Sequence, residues 1–146
     1  MPDVTDLRRR FARLHESGCF VIPNPWDVGS AIRFERAGAL ALATTSSGLA
    51  WSLGKDDTEV SLDQLVDHVG ALVAAVGIPV HVDAERCYDD PAATAERLVE
   101  AGCSGFSIED FDPATGAIDP LATSVERVGG VVEVAHRHGV TVTARA

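Results

Sequence analysis

The stretch that decides the fold is PVHVDAERCYDDPAATAERLVEAGCSGFSI, residues 79–108. Its first five and last four residues are short, largely apolar runs typical of strands, and residues 91–101 between them predict a helix. Pro91 stands at the predicted first helical position, and Gly102 directly follows the predicted helix end. The order strand, helix, strand predicts one β/α unit of a parallel sheet.

The same alternation extends in both directions along the chain. We predict further strands at residues 19–22, 39–45 and 140–145, and further helices at residues 6–15, 28–37, 61–76 and 121–138. No hairpin signal such as Asn-Gly interrupts the pattern. Five strands could complete a doubly wound sheet, or they could form part of a (β/α)₈ barrel, which needs about 250 residues. With 146 residues, the barrel alternative implies a truncated barrel or one completed by another chain.

Polar residues gather at the carboxyl ends of the predicted strands, where both folds place their sites. No phosphate-binding glycine motif follows the first strand, which argues against a nucleotide-binding doubly wound sheet. Polar residues at the ends of four separate strands favour the barrel. Side chains alternate across a strand, so one face of each strand collects polar groups. These inward-facing groups are His81, Asp83, Glu85, Ser107, Glu109, Thr141, Thr143 and Arg145.

The strongest chemical signal is a set of carboxylates, Asp57, Asp83, Glu85 and Glu109. Converging carboxylates repel one another unless a cation neutralises them. No Cys/His ligand set accompanies them, so a hard cation is favoured, and Mg²⁺ suits one or two carboxylates with waters and substrate oxygens. Arg145 at a strand end could bind a carboxylate through two hydrogen bonds.

Composition and charge limit the function classes. Lys and Arg number 12 against 22 Asp and Glu, giving a net charge of -10. A field of that sign repels nucleic acids and anionic membranes, so neither is an expected partner. The three cysteines lack CxxC spacing and predict reduced thiols in a cytoplasmic protein. We expect a single domain over residues 1–146, with a helical lead-in over residues 1–17.

Five stretches, in this order, resemble the isocitrate lyase/phosphoenolpyruvate mutase family and its bacterial phosphoenolpyruvate mutase-like branch. They are NPWDVGSA (24–31), ATTSSGLAWSLG (43–54), DAE (83–85), SIED (107–110) and TARA (143–146). The resemblance implies a (β/α)₈ barrel, a homo-oligomer, a Mg²⁺ cofactor and a small carboxylate substrate such as a 2-oxo acid. Family members form or cleave C–C or P–C bonds next to an enolate.

The resemblance also implies residue roles. Ser47, Gly48 and Leu49 would bind the substrate carboxylate and oxyanion, and Arg145 would bind substrate. Asp83 would ligate Mg²⁺ directly, and three further acids would hold it through water. Those acids are Asp57, Glu85 and Glu109; the candidate catalytic residues are Asp57, Glu109 and Arg145.

Two departures from the family pattern narrow the prediction. Residues 111–121 contain no Cys, Lys or His, which argues against isocitrate and methylisocitrate lyase activity, and the Lys and Asn of a phosphonate-forming mutase are also missing there. Arg86, Cys87, Tyr88 and Asp89 replace a glycine-containing loop, which predicts a reshaped loop in which Arg86 competes for the acids.

We therefore predict a Mg²⁺-dependent lyase-type enzyme, such as an oxaloacetate decarboxylase or a 2,3-dicarboxylate lyase. The alternatives are a phosphoenolpyruvate or carboxyphosphonate mutase-like activity, and a non-catalytic truncated remnant that binds metal or anion without turnover.

Overall fold

The chain forms a parallel four-stranded sheet and a separate two-stranded hairpin, in a computed structural model that describes residues 2–146. The parallel sheet has the order β1-β2-β3-β6. The six strands are β1 (Leu42–Ala43), β2 (Val80–Asp83), β3 (Gly105–Glu109), β4 (Phe111–Asp112), β5 (Ala117–Ile118) and β6 (Thr141–Arg145).

Six helices connect or flank these strands, and the predicted helices are confirmed to within a few residues at their ends. Side-chain caps explain several of the starts: Ser61 and Gln64 form a capping box, and Asp90 caps the helix that Pro91 begins. The helices are α1 (Val4–Leu14), α2 (Val28–Arg36), α3 (Ser46–Ser52), α4 (Leu62–Ala75), α5 (Pro91–Glu100) and α6 (Leu121–His138).

The main core lies between one face of the sheet and the helices α4, α5 and α6. Val82 of β2 and Phe106 of β3 are fully buried there with apolar side chains of the three helices: Leu65, Val69, Ala95, Leu98, Val131 and Val134. The strand order runs without a reversal, and the long connecting helices pack on this single face. A doubly wound sheet has helices on both faces and a switch point, so the architecture is that of a (β/α)₈-type barrel wall, as predicted.

Helix α1 covers the amino-terminal end of the opposite, inward face of the sheet. Phe11 is fully buried, and its ring centroid lies 5.5 Å from that of His81 on β2. A Cβ added at Gly105 would lie 2.6 Å from the Phe11 ring, so this strand position accommodates only glycine without movement. Arg8 fixes the helix by donating to the carbonyls of Val99 and Cys103.

Four features differ from the sequence prediction. The strand predicted over residues 39–45 is shortened to β1, Leu42–Ala43. Residues 19–22 form no strand: Val21 is 81% exposed, and Pro23, which has no N–H, contributes only its carbonyl to β1, accepting from the Ala43 amide at 3.1 Å. Residues 46–52 form the unpredicted helix α3. Residues 111–118 form the antiparallel hairpin β4–β5, whose turn contains Pro113 and Gly116, the latter at φ +67°.

Within residues 2–146, none of the helices has the length and apolar character needed to cross a membrane. The three cysteines are unpaired: Cys19 is exposed, whereas Cys87 and Cys103 are buried. Burial raises the pKa of the Cys87 thiol to about 12. This thiol is therefore not a thiolate nucleophile at neutral pH.

Candidate active site

Asp83, the last residue of β2, collects donors from three other elements. Its Oδ2 accepts from the Ser46 amide at 3.1 Å and from the Ser46 hydroxyl at 3.0 Å. Its Oδ1 accepts from Arg145 Nη2 at 2.6 Å and from the Ser107 hydroxyl at 3.4 Å. The residue predicted to be the direct metal ligand therefore lies at the centre of the polar cluster.

Arg145 joins two of the predicted acids. Its Nη2 lies 2.6 Å from Asp83 Oδ1 and 2.7 Å from Glu109 Oε2. The parallel register explains this contact, because Glu109 of β3 is paired with Arg145 of β6, and Asp83 is paired with Ser107. The predicted alternation of faces thus holds within β2, β3 and β6, and it brings one cation between two carboxylates. It does not extend to Glu85, which was predicted on the same face of β2 but lies beyond the strand end at φ +50°.

Ser47 lies in the first turn of α3 and donates its hydroxyl to Asp57 Oδ2 at 2.7 Å. The other two predicted substrate-binding residues use their amides inside the fold: the Leu49 N–H donates to the Thr45 carbonyl at 3.0 Å, and the Gly48 N–H donates to the Thr45 hydroxyl at 3.3 Å. Leu49 is also buried in the core. The substrate-binding roles of Ser47, Gly48 and Leu49 all stay predictions.

Glu85 faces the other acids of the cluster. Burial raises its pKa, and the charges of Asp57, Asp83 and Glu109 raise it further, to about 7. Burial also raises the pKa of Glu109, while Arg145 opposes that shift. The cluster therefore contains a carboxyl group that can hold or release a proton near neutral pH.

The raised pKa of Glu85 predicts a pH-dependent stability in the metal-free chain. The folded chain retains this proton while the unfolded chain releases it at about 4.5, so folding stability is full below pH 4.5 and falls as the pH rises through about 7. We expect Glu85→Gln to be more stable than wild type at about pH 8 by about 1–2 kcal/mol, allowing for solvent screening. The measurement is urea unfolding in EDTA across this pH range.

The matched control is Glu133→Gln, since Glu133 is exposed on α6. It should leave the pH slope of the unfolding free energy unchanged. A Glu85→Gln chain with the wild-type slope would contradict the position assigned to this carboxyl group.

The donor set fits a hard divalent ion held largely through water. All its donors are carboxylate or hydroxyl oxygens, the ligands that Mg²⁺ prefers. Among residues 2–146, no three His, Cys, Asp or Glu side chains come close enough together to ligate one ion directly. Mg²⁺ commonly binds through one or two carboxylates and keeps several waters, and direct ligation by Asp83 stays a prediction.

Arg86 does not compete for the site acids, contrary to the sequence prediction. Its guanidinium binds Asp119 through two hydrogen bonds, Nε to Oδ2 at 2.6 Å and Nη2 to Oδ1 at 2.8 Å. Its Nη1 lies 3.9 Å from Asp112 Oδ1 in the β4–β5 hairpin. The hairpin, which the sequence did not reveal, thus supplies Arg86 with other carboxylate partners.

A cavity of about 330 Å³ opens on the inward face of the sheet, beside the polar cluster. It is lined by Asn24, Thr45, His81, Asp83, Ser107 and Arg145, among others. Burial lowers the pKa of His81 to about 4, so this ring is neutral at pH 7. A larger cavity of about 400 Å³ lies between β6 and α6, but Val125, Val128 and Val132 give it a mainly apolar lining. Glu109 and Arg145 of the polar cluster also line this second cavity, whereas Asp83 and Arg145 line the inward one.

Two residues that donate hydrogen bonds to Asp83 had no assigned role in the sequence prediction. Ser46, although noted with its neighbours as a donor, is the serine that binds Asp83, and Ser107 adds a weaker bond. Both are hydroxyl residues at the carboxyl end of a strand or just beyond it, and that position was the available signal.

The fold is a parallel sheet whose connecting helices α4, α5 and α6 pack on one face, and the polar cluster lies at the strand ends. These features define an α/β protein of the (β/α)₈-barrel type with a candidate active site. The family model described as phosphoenolpyruvate phosphomutase matches residues 11–146. The chain therefore belongs to the isocitrate lyase/phosphoenolpyruvate mutase family, which is a family of enzymes.

Solved structures and a curated relative agree with this membership. A "putative lyase/mutase" from Burkholderia cenocepacia is 41% identical, with a TM-score of 0.92, over 98% of this chain and 55% of its own. A 2,3-dimethylmalate lyase is 27% identical, with a TM-score of 0.84, over 99% of this chain and 54% of its own. An uncharacterized protein of Mycobacterium tuberculosis is 35% identical over 120 residues, 81% of this chain and 46% of the relative. The chain thus spans about half the length of these relatives.

Proposed function

We propose that the chain carries the metal- and substrate-binding part of a Mg²⁺-dependent lyase-type enzyme. The reaction is the cleavage or formation of a C–C bond next to the carbonyl of a small 2-oxo acid or related carboxylate, through an enolate-like intermediate. The observation that carries this proposal is the Arg145 guanidinium held between Asp83 and Glu109 at the carboxyl ends of the strands.

The charge of the cluster supports a requirement for a cation. The cluster contains four carboxylates and one guanidinium, so its net charge is −3 when all of these groups are ionised. An anionic substrate is repelled by that charge unless positive charge is added. Mg²⁺ at Asp83, with water-mediated contacts to Asp57, Glu85 and Glu109, would supply that charge and stabilise the enolate oxygen that develops as the bond breaks.

The chain's own residues supply binding and proton transfer. Arg145 can move from Asp83 and Glu109 to a substrate carboxylate, because its side chain is 46% exposed beside the cavity. The Ser47 hydroxyl, which donates to Asp57 Oδ2, is a second candidate donor if it turns to the substrate. Asp57 and Glu109 are the candidate acid–base residues, and burial raises the pKa of Glu109, which makes it a stronger proton acceptor than an ordinary carboxylate.

The similarity to 2,3-dimethylmalate lyase supports C–C bond cleavage rather than another chemistry. The family description favours a second candidate, phosphonate mutase activity. The hairpin of residues 111–118, however, contains no Lys or Asn, which are the residues expected there in such a mutase.

We also propose that the protein is a homo-oligomer in the cytoplasm. Size-exclusion chromatography with light scattering tests the oligomeric state, and cell fractionation tests the location.

Calorimetric titration with oxalate, a mimic of enolpyruvate, tests the proposal directly. We expect oxalate to bind the wild-type chain in the presence of Mg²⁺ and to bind at least about 10-fold more weakly in EDTA, since the cation offsets the charge of the acids. Binding that is indifferent to Mg²⁺ would contradict the metal assignment. No binding under either condition would favour the non-catalytic alternative for this chain.

A further inference from the structure

The loop after β2 is held in a backbone conformation that its residues rarely adopt. Glu85, Cys87 and Tyr88 have φ values of +50°, +59° and +54°, and none of them is glycine. Each such residue costs about 1–3 kcal/mol, and the conformation persists only where the surroundings impose it. The question is therefore which contacts impose it here.

Arg127 of α6 provides most of the side-chain donors to this loop. Its Nη2 donates to the Arg86 carbonyl at 2.6 Å and also to the Tyr88 carbonyl, and its Nη1 lies 3.5 Å from the Asp89 carbonyl. The planar guanidinium can serve several acceptors at once, which an ammonium group on a flexible stem does poorly. Arg127 thus joins three backbone carbonyls of the loop, those of residues 86, 88 and 89, to helix α6.

The loop backbone in turn fixes the position of Glu85. The Glu85 carbonyl accepts from the Glu109 amide at 2.9 Å, and the Cys87 amide donates to the Ala84 carbonyl at 2.8 Å. Through the first of these bonds, the backbone from which the Glu85 side chain extends lies directly beside Glu109 of the site. No hydrogen bond or ion pair within residues 2–146 joins Arg127 directly to Glu85, so any influence passes through the backbone.

We propose that Arg127 is a positioning residue of the acidic site, which keeps Glu85 beside Glu109 by holding the carbonyls of residues 86, 88 and 89. The inference rests on the proposed function, because it concerns the same metal and substrate site.

A double-mutant cycle of Arg127 and Glu85 tests whether Arg127 influences ligand binding through Glu85. We expect Arg127→Gln to weaken Mg²⁺-dependent oxalate binding by about 10-fold, the lower end for groups that orient metal ligands. In a Glu85→Gln background the same change should weaken binding less than about 2-fold, because the residue it positions is already neutralised. Equal losses in both backgrounds would show a general structural effect and overturn the proposal.

Amide hydrogen exchange tests the holding of the loop without any ligand. The Glu109 and Cys87 amides should exchange at least about 10-fold faster in Arg127→Gln than in wild type, since their acceptors lie in the loop. The control is Arg137→Gln on the same helix, where an exposed Arg137 pairs with Glu96; it should change neither exchange nor binding. Arg127→Lys, which keeps the charge, should give intermediate values if the glutamine variant folds poorly.

Oxalate binding and amide hydrogen exchange together distinguish a failure of this inference from a failure of the proposed function. Unchanged exchange at Glu109 and Cys87 would overturn the inference whether or not oxalate binds. Faster exchange in a chain whose wild type binds no oxalate would uphold the holding of the loop, and the failure would then lie with the proposed function.

Discussion

Asp83→Asn should weaken Mg²⁺-dependent oxalate binding by at least about 100-fold, or about 2.7 kcal/mol. The substitution preserves the shape of the side chain but removes the one carboxylate that meets donors from α3, β3 and β6 at once. Asparagine offers one neutral oxygen to a cation and one N–H₂ group that repels it. Titration of oxalate into the variant, with and without Mg²⁺, measures the change.

The matched control for this loss is Asp67→Asn, because Asp67 is exposed on α4 and lies outside the site. Thermal unfolding of both variants shows whether the fold is retained, and we expect Asp83→Asn to remain folded because Arg145 keeps Glu109 as a partner. A folded Asp83→Asn chain with the wild-type response to Mg²⁺ would remove Asp83 from the metal site.

The regular part of the fold could be predicted from the sequence because its signals are local. The alternation of His81 and Asp83 with Val80 and Val82 indicates which face of β2 is buried, and the burial of β2 agrees with it. The helical spacing from residue 61 and the cap at Ser61 predict α4 in the same way. These patterns are read within one element, so no knowledge of the partners is needed.

The irregular parts could not be predicted because their partners are distant in sequence. Residues 19–22 have strand-like composition, yet a strand forms only where a neighbour can complete its hydrogen bonds. Arg86 was expected near the site acids, but Asp119 lies 33 positions away and reaches it through a hairpin that the sequence did not indicate. Arg127 reaches the loop of residues 86–89 from 38 positions or more along the chain.

The candidate site could be predicted from the sequence only in part. The sequence predicted that Asp83, Glu109 and Arg145 share the inward face, because strand alternation decides that, and the structure brings them into contact. It could not predict that Arg145 binds both acids at once. That contact depends on the register between β3 and β6, which pairs Glu109 with Arg145.

Removal of Arg145 should therefore change two affinities in opposite directions. In Arg145→Gln, oxalate should bind about 100-fold more weakly in the presence of Mg²⁺, because the guanidinium that would receive one of its carboxylates is gone. Mg²⁺ alone should bind about 10-fold more tightly, or about 1.4 kcal/mol, because Asp83 and Glu109 lose the cation that now occupies them. Calorimetric titrations of Mg²⁺ alone, and then of oxalate, measure the two changes separately.

This opposition of sign is what distinguishes a substrate-binding arginine from one that only stabilises the fold. If Arg145 only held β6 against the acids, its loss would disorder the cluster, and both affinities would fall together. The control is Arg36→Gln, an exposed arginine at the end of α2, which should change neither affinity. A joint decrease in Arg145→Gln would make Arg145 structural, and a chain with unchanged oxalate affinity would require another group to receive the substrate carboxylate. A rise in Mg²⁺ affinity with a loss of oxalate would mean that the same arginine neutralises the acids in the free chain and turns to the substrate when the metal arrives.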